Sequence, residues 1–248
     1  MSIPSDTPPD SEEPTLDDYE RALQMYRASG DREGEAETLN KIGFAYHARG
    51  EKHQALDAFE QILHLYQLMG DRPMEAIALY NVSGAYFDLG NTEQALAYLL
   101  QAQHLYQLMG DQNGEANMLS NIGMYYDILD DEQQALNAFE QTLLIYRMIG
   151  DRGGEANTLH RIGNAYLNLG EEQRAVDYYE QALSLQRAIG NQHGEARALN
   201  DLALVYHYLG KEQQSAAHYE QALPLIKIVG ARYDQSEKWF DHWYGLSQ

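Results

Sequence analysis

Apolar residues recur along this chain at intervals of three and four. Ala36, Leu39, Ile42, Gly43 and Tyr46 share one face of a helical wheel, and Ala55, Leu56, Phe59, Leu63 and Tyr66 share another. Residues spaced in this way lie over one another on a helix, so the pattern predicts two amphipathic helices in succession. The pair then repeats. Gly30, Gly70, Gly110, Gly150, Gly190 and Gly230 fall 40 residues apart, and Gly50, Gly90, Gly170 and Gly210 form a second series, with Asp130 in the place of its missing member. A glycine after each apolar run supplies the left-handed residue that ends a helix. Asp130 is expected to take the same conformation at some cost, since Asp and Asn adopt it more readily than most side chains do. Asp31, Asp71, Asp111, Asp151 and Asn191 stand where the next helix needs a cap. A glutamate follows in the first turn each time (Glu35, Glu75, Glu115, Glu155, Glu195), where the helix dipole favours negative charge. No alternating pattern predicts a strand.

Helix pairs of this kind cannot bury their apolar faces alone, so they are expected to stack on one another. Residue sizes at equivalent positions agree. Gly43, Ser83, Gly123, Gly163 and Ala203 are small, as are Ala55, Ala95, Ala135, Ala175 and Ser215, whereas Tyr46, Tyr86, Tyr126, Tyr166 and Tyr206 are bulky. Small positions let two backbones approach, and the tyrosine is expected to fill the space beside them. Residues 1–14, rich in proline, serine and acid, read as a disordered tail. Residues 15–230 then form a half-repeat and five full pairs. Residues 231–248 carry Trp239, Phe240, Trp243 and Tyr244 and read as a capping helix, with docking of another chain as the alternative for that aromatic edge.

The series Leu39, Ile42, Gly43, Tyr46, Gly50, with the small Ala55 five residues on, resembles the tetratricopeptide (TPR) repeat. Two departures stand out. Leucine replaces the frequent tryptophan, and Gln67, Gln107, Arg147, Arg187 and Lys227 occupy the phase of the usual closing proline. The 40-residue form is similar to Pins-type spindle adaptors, kinesin light chains, Rap-type peptide sensors and cyanobacterial arrays joined to caspase-like domains, with wording most like the bacterial group. The resemblance implies an all-α fold, a right-handed TPR superhelix (α-solenoid) of antiparallel helix pairs. It also implies that the first helix of each pair lines a concave face. The lining residues would be Asn40, Phe44 and His47 in the first repeat, Tyr80 and Phe87 in the second, and Asn117 and Met124 in the third. Asn157, His160, Asn164 and Asn168 follow in the fourth, and Arg197, Asn200, Leu204 and His207 in the fifth.

These positions vary from repeat to repeat while the packing positions barely change, so they are expected to face solvent. They are rich in amides and aromatics. A carboxamide both donates and accepts, which suits an extended backbone, and aromatics give contact area at low entropic cost. The function so implied is a non-enzymatic protein–protein interaction scaffold that holds a peptide or protein segment in the groove. A peptide-responsive regulatory switch and a self-associating assembly module are the alternatives. If the groove residues serve only a partner, replacing Asn164 or Asn200 by alanine leaves the melting temperature unchanged.

Charge narrows the partner. The 248 residues include 17 Lys and Arg against 38 Asp and Glu, a net charge of −21. Nucleic acid and anionic membranes call for clustered cations, so neither is expected, and a neutral to basic protein or peptide ligand is. Weak self-association through terminal helices is a further expectation. Cysteine is absent, which excludes disulfides and thiolate chemistry. No apolar run approaches the roughly 18 residues of a membrane span, and the N-terminus lacks the pattern of a signal peptide, so a cytoplasmic location is expected. No enzymatic constellation appears. The nine histidines are scattered apart from the paired phase of His64 and His104, and the glycines of 151–156 lack a phosphate-loop lysine. Neither a metal nor a cofactor is expected.

Overall fold

The computed structural model describes residues 14–229, and those residues form eleven α-helices and no strand. The order is α1 (Leu16–Ser29), α2 (Arg32–Ala48), α3 (Lys52–Met69), α4 (Arg72–Asp88), α5 (Thr92–Met109), α6 (Gln112–Ile128), α7 (Glu132–Ile149), α8 (Arg152–Asn168), α9 (Glu172–Ala188), α10 (Gln192–Tyr208) and α11 (Glu212–Val229). The tail read over residues 1–14, apart from Pro14, and the capping helix read over 231–248 lie outside the described residues. The chain divides into two compact units, Met1–Leu105 and Tyr106–Gln248. In the first, α1 packs on α2, α2 on α3 and α3 on α4. In the second, each helix from α6 to α11 packs on the next, and α8 also touches α10. Even-numbered helices open the repeats and odd-numbered helices close them.

Helix ends follow the sequence reading. The closing glycines have φ between 68° and 82°, and Asp130 takes the same turn at φ 58°. Asp31, Asp71, Asp111, Asp151 and Asn191 each accept a hydrogen bond from the backbone N–H three residues on. The first-turn glutamates do more than answer the helix dipole. Glu35 accepts from Arg27 Nε at 2.8 Å, Glu155 from Arg147 and Glu195 from Arg187 at 2.7 Å, and Glu115 from Gln107 Nε2 at 2.6 Å. The position that lacks the usual proline therefore holds a donor that clamps the turn between two helices.

Close packing depends on rings set against glycines. A Cβ on Gly43 would lie 2.7 Å from the Phe59 ring, one on Gly123 2.5 Å from Phe139, and one on Gly163 2.6 Å from Tyr179. Gly34, Gly114 and Gly154 meet Tyr26, Tyr106 and Tyr146 in the same way. The expectation that Tyr46 and its equivalents fill the space beside the small residues is thus corrected: the filling ring comes from the partner helix. Instead, Tyr46, Tyr86 and Tyr206 donate to Glu20, Glu60 and Glu180 of the preceding helices at 3.3, 2.9 and 3.1 Å, with the Tyr206 ring itself buried. Where the small residue is Ser83, its hydroxyl donates to the Ala95 carbonyl at 2.8 Å, which keeps the buried oxygen satisfied.

Two outcomes test this account. Asp130→Gly relieves the left-handed strain on a β-carbon and should raise stability by about 0.5–1 kcal/mol, read from the denaturant midpoint. The Tyr86 hydroxyl is pushed up to about 12 by its hydrogen bond to Glu60 and by burial. A raised tyrosine contributes stability that is complete below its ordinary value of 10 and is lost as pH rises from there through about 12. Glu60→Gln should lower the Tyr86 midpoint in ring-carbon NMR and narrow that alkaline window.

Candidate interaction site

In the first unit the residues singled out by sequence lie on α2 and α4. Phe44 is 50% exposed although its ring meets Phe59 edge-on at 5.3 Å, and Ile77 and Tyr80 are 43% and 42% exposed. A Cβ on Gly84 would meet nothing within 4 Å, so bare backbone adjoins this apolar surface on α4. Phe87 and Asn40 are half-buried. His47 Nε2 lies 2.7 Å from Asp88 Oδ2, joining α2 to α4, and Lys52 Nζ donates to the Asp88 carbonyl oxygen. His47 is therefore engaged within the unit, whereas Phe44 and Tyr80 present large apolar area to solvent.

In the second unit the predicted residues lie on α6, α8 and α10, and most of the amides are partly committed. Asn117 Oδ1 accepts from the Tyr146 hydroxyl at 2.8 Å, and Asn164 Oδ1 from the Tyr179 hydroxyl at 2.7 Å. Asn157 Oδ1 accepts from Arg197 Nη2 at 3.1 Å and from Gln186 Nε2 at 3.3 Å. Asn168 Nδ2 donates to Asp127 Oδ1 at 3.1 Å. Two residues expected to face solvent do not. His160 is 7% exposed, with Nε2 2.5 Å from Asp201 Oδ2, and Asn200 is 5% exposed. Met124, Leu204 and His207 are half-buried, and His207 pairs with Glu212 at 3.0 Å.

Ser120 of α6, Tyr146 of α7, Asn157, His160, Arg161 and Asn164 of α8, and Arg197 of α10 surround a polar pocket of about 310 Å³. Burial first, and then the charge of Arg197, lower the basicity of Arg161. Burial likewise pushes the Tyr179 hydroxyl up, so it stays protonated and donates to Asn164. Sequence reasoning missed Arg161. Its phase runs Lys41, Asn81, Asn121, Arg161 and Asp201, a variable polar series that carried the same signal as the others. It also missed Gln186, which breaks the series Tyr26, Tyr66, Tyr106, Tyr146. Among the described residues no three His, Asp or Glu side chains gather as a metal site, and no helix is long and apolar enough to cross a membrane.

Comparison with known sequences decides the family. The tetratricopeptide repeat profile matches residues 15–67, 70–148 and 154–227. The chain belongs to the TPR family. TPR arrays are in general protein-interaction scaffolds, and the described helices follow the helix-pair packing of a TPR solenoid. A comparison with curated proteins found no match. Among solved structures, BtubC (BKLC) from P. vanneervenii is similar, with a TM-score of 0.75 at 15% identity over 87% of this chain and 91% of that one. A STAND protein with a tetratricopeptide repeat sensor from Pyrococcus horikoshii gives 0.70 at 21% identity over 89% of this chain and 33% of its own. The apo form of RapI gives 0.68 at 14% identity over 87% and 70%. At these identities the likeness is one of fold.

The bond between Tyr179 and Asn164 corrects the expectation that alanine at Asn164 leaves the fold untouched, and Asn200 is buried, so its replacement acts on the fold as well. Asn164→Ala strands the Tyr179 hydroxyl and should lower stability by about 1–2 kcal/mol, read from the denaturant midpoint, whereas a merely exposed asparagine would cost nothing measurable. Tyr179→Phe in the Asn164→Ala background should recover most of that loss.

Proposed function

We propose that this TPR protein is a non-enzymatic scaffold that binds a peptide or protein segment along its first-helix faces. The observation that carries the reading is the apolar surface of Phe44, Ile77 and Tyr80, which stay 50%, 43% and 42% exposed. Large apolar side chains left exposed are characteristic of a contact surface, and aromatic anchors dominate such contacts. In the second unit, taken by itself, the half-committed amides of α6 and α8 are polar groups suited to a main chain. The net charge of −21 favours a segment that is neutral to basic overall.

A random-peptide phage library panned on the folded protein tests the reading. Selected segments should bind at roughly micromolar strength, because ordering a flexible chain offsets part of its contact energy. The double replacement Phe44→Ala and Tyr80→Ala should weaken them by about tenfold or more with little change in melting temperature. Failure to enrich any sequence, or equal binding by the double variant, would refute the proposal.

A further inference from the structure

Rings set against bare backbone space these helices, and one glycine of the same kind carries no ring. Past the first turn, the described helices contain four glycines: Gly43, Gly84, Gly123 and Gly163. Phe59 lies on Gly43, Phe139 on Gly123 and Tyr179 on Gly163, each so close that a Cβ would come within 2.7 Å of the ring. A Cβ on Gly84 would meet nothing within 4 Å. Packing therefore gives no reason for this glycine, and a glycine inside a helix weakens that helix relative to alanine. The equivalent positions of the other repeats are Phe44, Met124, Asn164 and Leu204, so the bare backbone is particular to α4. What a missing side chain does provide is close approach for another group.

The surroundings of Gly84 indicate the occupant. The helices α2 and α4 open consecutive repeats and run in the same direction, and His47 Nε2 lies 2.7 Å from Asp88 Oδ2, which fixes their register. Three residues back on α2 and four back on α4, the same register sets Phe44 beside Gly84. Tyr80 stands one turn before Gly84 on its own helix. Phe44 is 50% exposed and Tyr80 42%, so both rings keep apolar area open. One turn beyond Gly84, the polar groups are spent on one another: Asp88 meets His47 through its carboxylate and Lys52 through its carbonyl. Bare main chain, two open rings and a paired carboxylate suit a flat, uncharged group.

We propose that Gly84 seats one aromatic side chain of the bound segment, lying on the backbone between Phe44 and Tyr80 as Phe59 lies on Gly43. The inference rests on the scaffold reading and refines its partner: a segment, neutral to basic overall, that is anchored by a phenylalanine, tyrosine or tryptophan. A flat ring gains there twice, by dispersion against backbone it can approach closely and by edge or offset contacts with the neighbouring rings. An aliphatic side chain of equal volume gains only part of the first, because its thickness holds it off the main chain.

Three peptides of one frame, N-acetyl-Gly-X-Gly-amide with phenylalanine, cyclohexylalanine or arginine at X, test the occupant. Each is titrated into the full chain while the Gly84 amide and the ring resonances of Phe44 and Tyr80 are followed by NMR. A saturable shift is expected with phenylalanine, with binding about threefold or more weaker for cyclohexylalanine and weaker still for arginine. Gly84→Ala separates stability from binding. Because space for a Cβ is open, it should raise the melting temperature, while its methyl group keeps a ring off the backbone and should weaken the phenylalanine peptide by about fivefold or more. Gly84→Leu should abolish the saturable shift. Cyclohexylalanine or arginine binding as tightly as phenylalanine, unchanged affinity in Gly84→Ala, or no saturable shift at all overturns the proposal. Library-selected segments that bind Gly84→Leu as tightly as wild type also overturn it but leave the scaffold reading intact. Failure of the library to yield any segment counts against the scaffold alone, and the peptide titration still decides Gly84.

Discussion

The fold depends on the missing β-carbons that allow a ring of one helix to lie against the backbone of its partner. Phe59 on Gly43, Phe139 on Gly123 and Tyr179 on Gly163 are contacts in which any side chain at the small position would overlap the ring. Because the repeat is short and each hairpin is covered only by its neighbours, the apolar area buried per contact must be large, and close backbone approach supplies it. The first-turn glycines, with Gly34 under Tyr26 and Gly154 under Tyr146, apply the same geometry at the turn between helices. Two constraints thus act on each helix opening: a cap that starts it and a ring that fixes its distance from the helix before.

Once these contacts set the spacing, polar side chains fall into two populations. One is repeated and structural. The glutamates clamped by Arg27, Arg147 and Arg187, and those that accept from Tyr46, Tyr86 and Tyr206, tie neighbouring helices together at solvent-facing edges. Six of the 38 acidic residues are explained this way, without any ligand. The other population differs in every repeat and sits on the first helices. In the first unit it is apolar and open, as at Phe44 and Tyr80. In the second it is amide and guanidinium, with Asn157 and Asn164 already bonded through their oxygens.

Much of the fold was legible in advance. Helix number, helix ends, the left-handed Asp130 and the small packing positions are all short-range matters: spacing of three and four, a cap residue, a residue tolerant of positive φ. The site was only partly legible. Variation at equivalent phases pointed to exposed positions on the first helices, and Phe44 and Tyr80 are exposed as read. The same argument failed for His160 and Asn200, which are variable and yet buried. It also passed over Arg161, which belongs to an equally variable series.

What the sequence determined by itself is which face of each helix a residue occupies and where each helix stops, because a period and a cap are written within a few neighbouring residues. What only the tertiary structure decided is how the variable polar groups are spent. The partners of Asn164, Asn157, His160 and Asn168 lie 15, 29, 41 and 41 residues away on other helices. Whether a side chain reaches such a partner depends on the distance between helices and the direction of its own bonds. Those are set by rings packed against glycines, and no spacing along the chain records which oxygen is already taken and which nitrogen is still free.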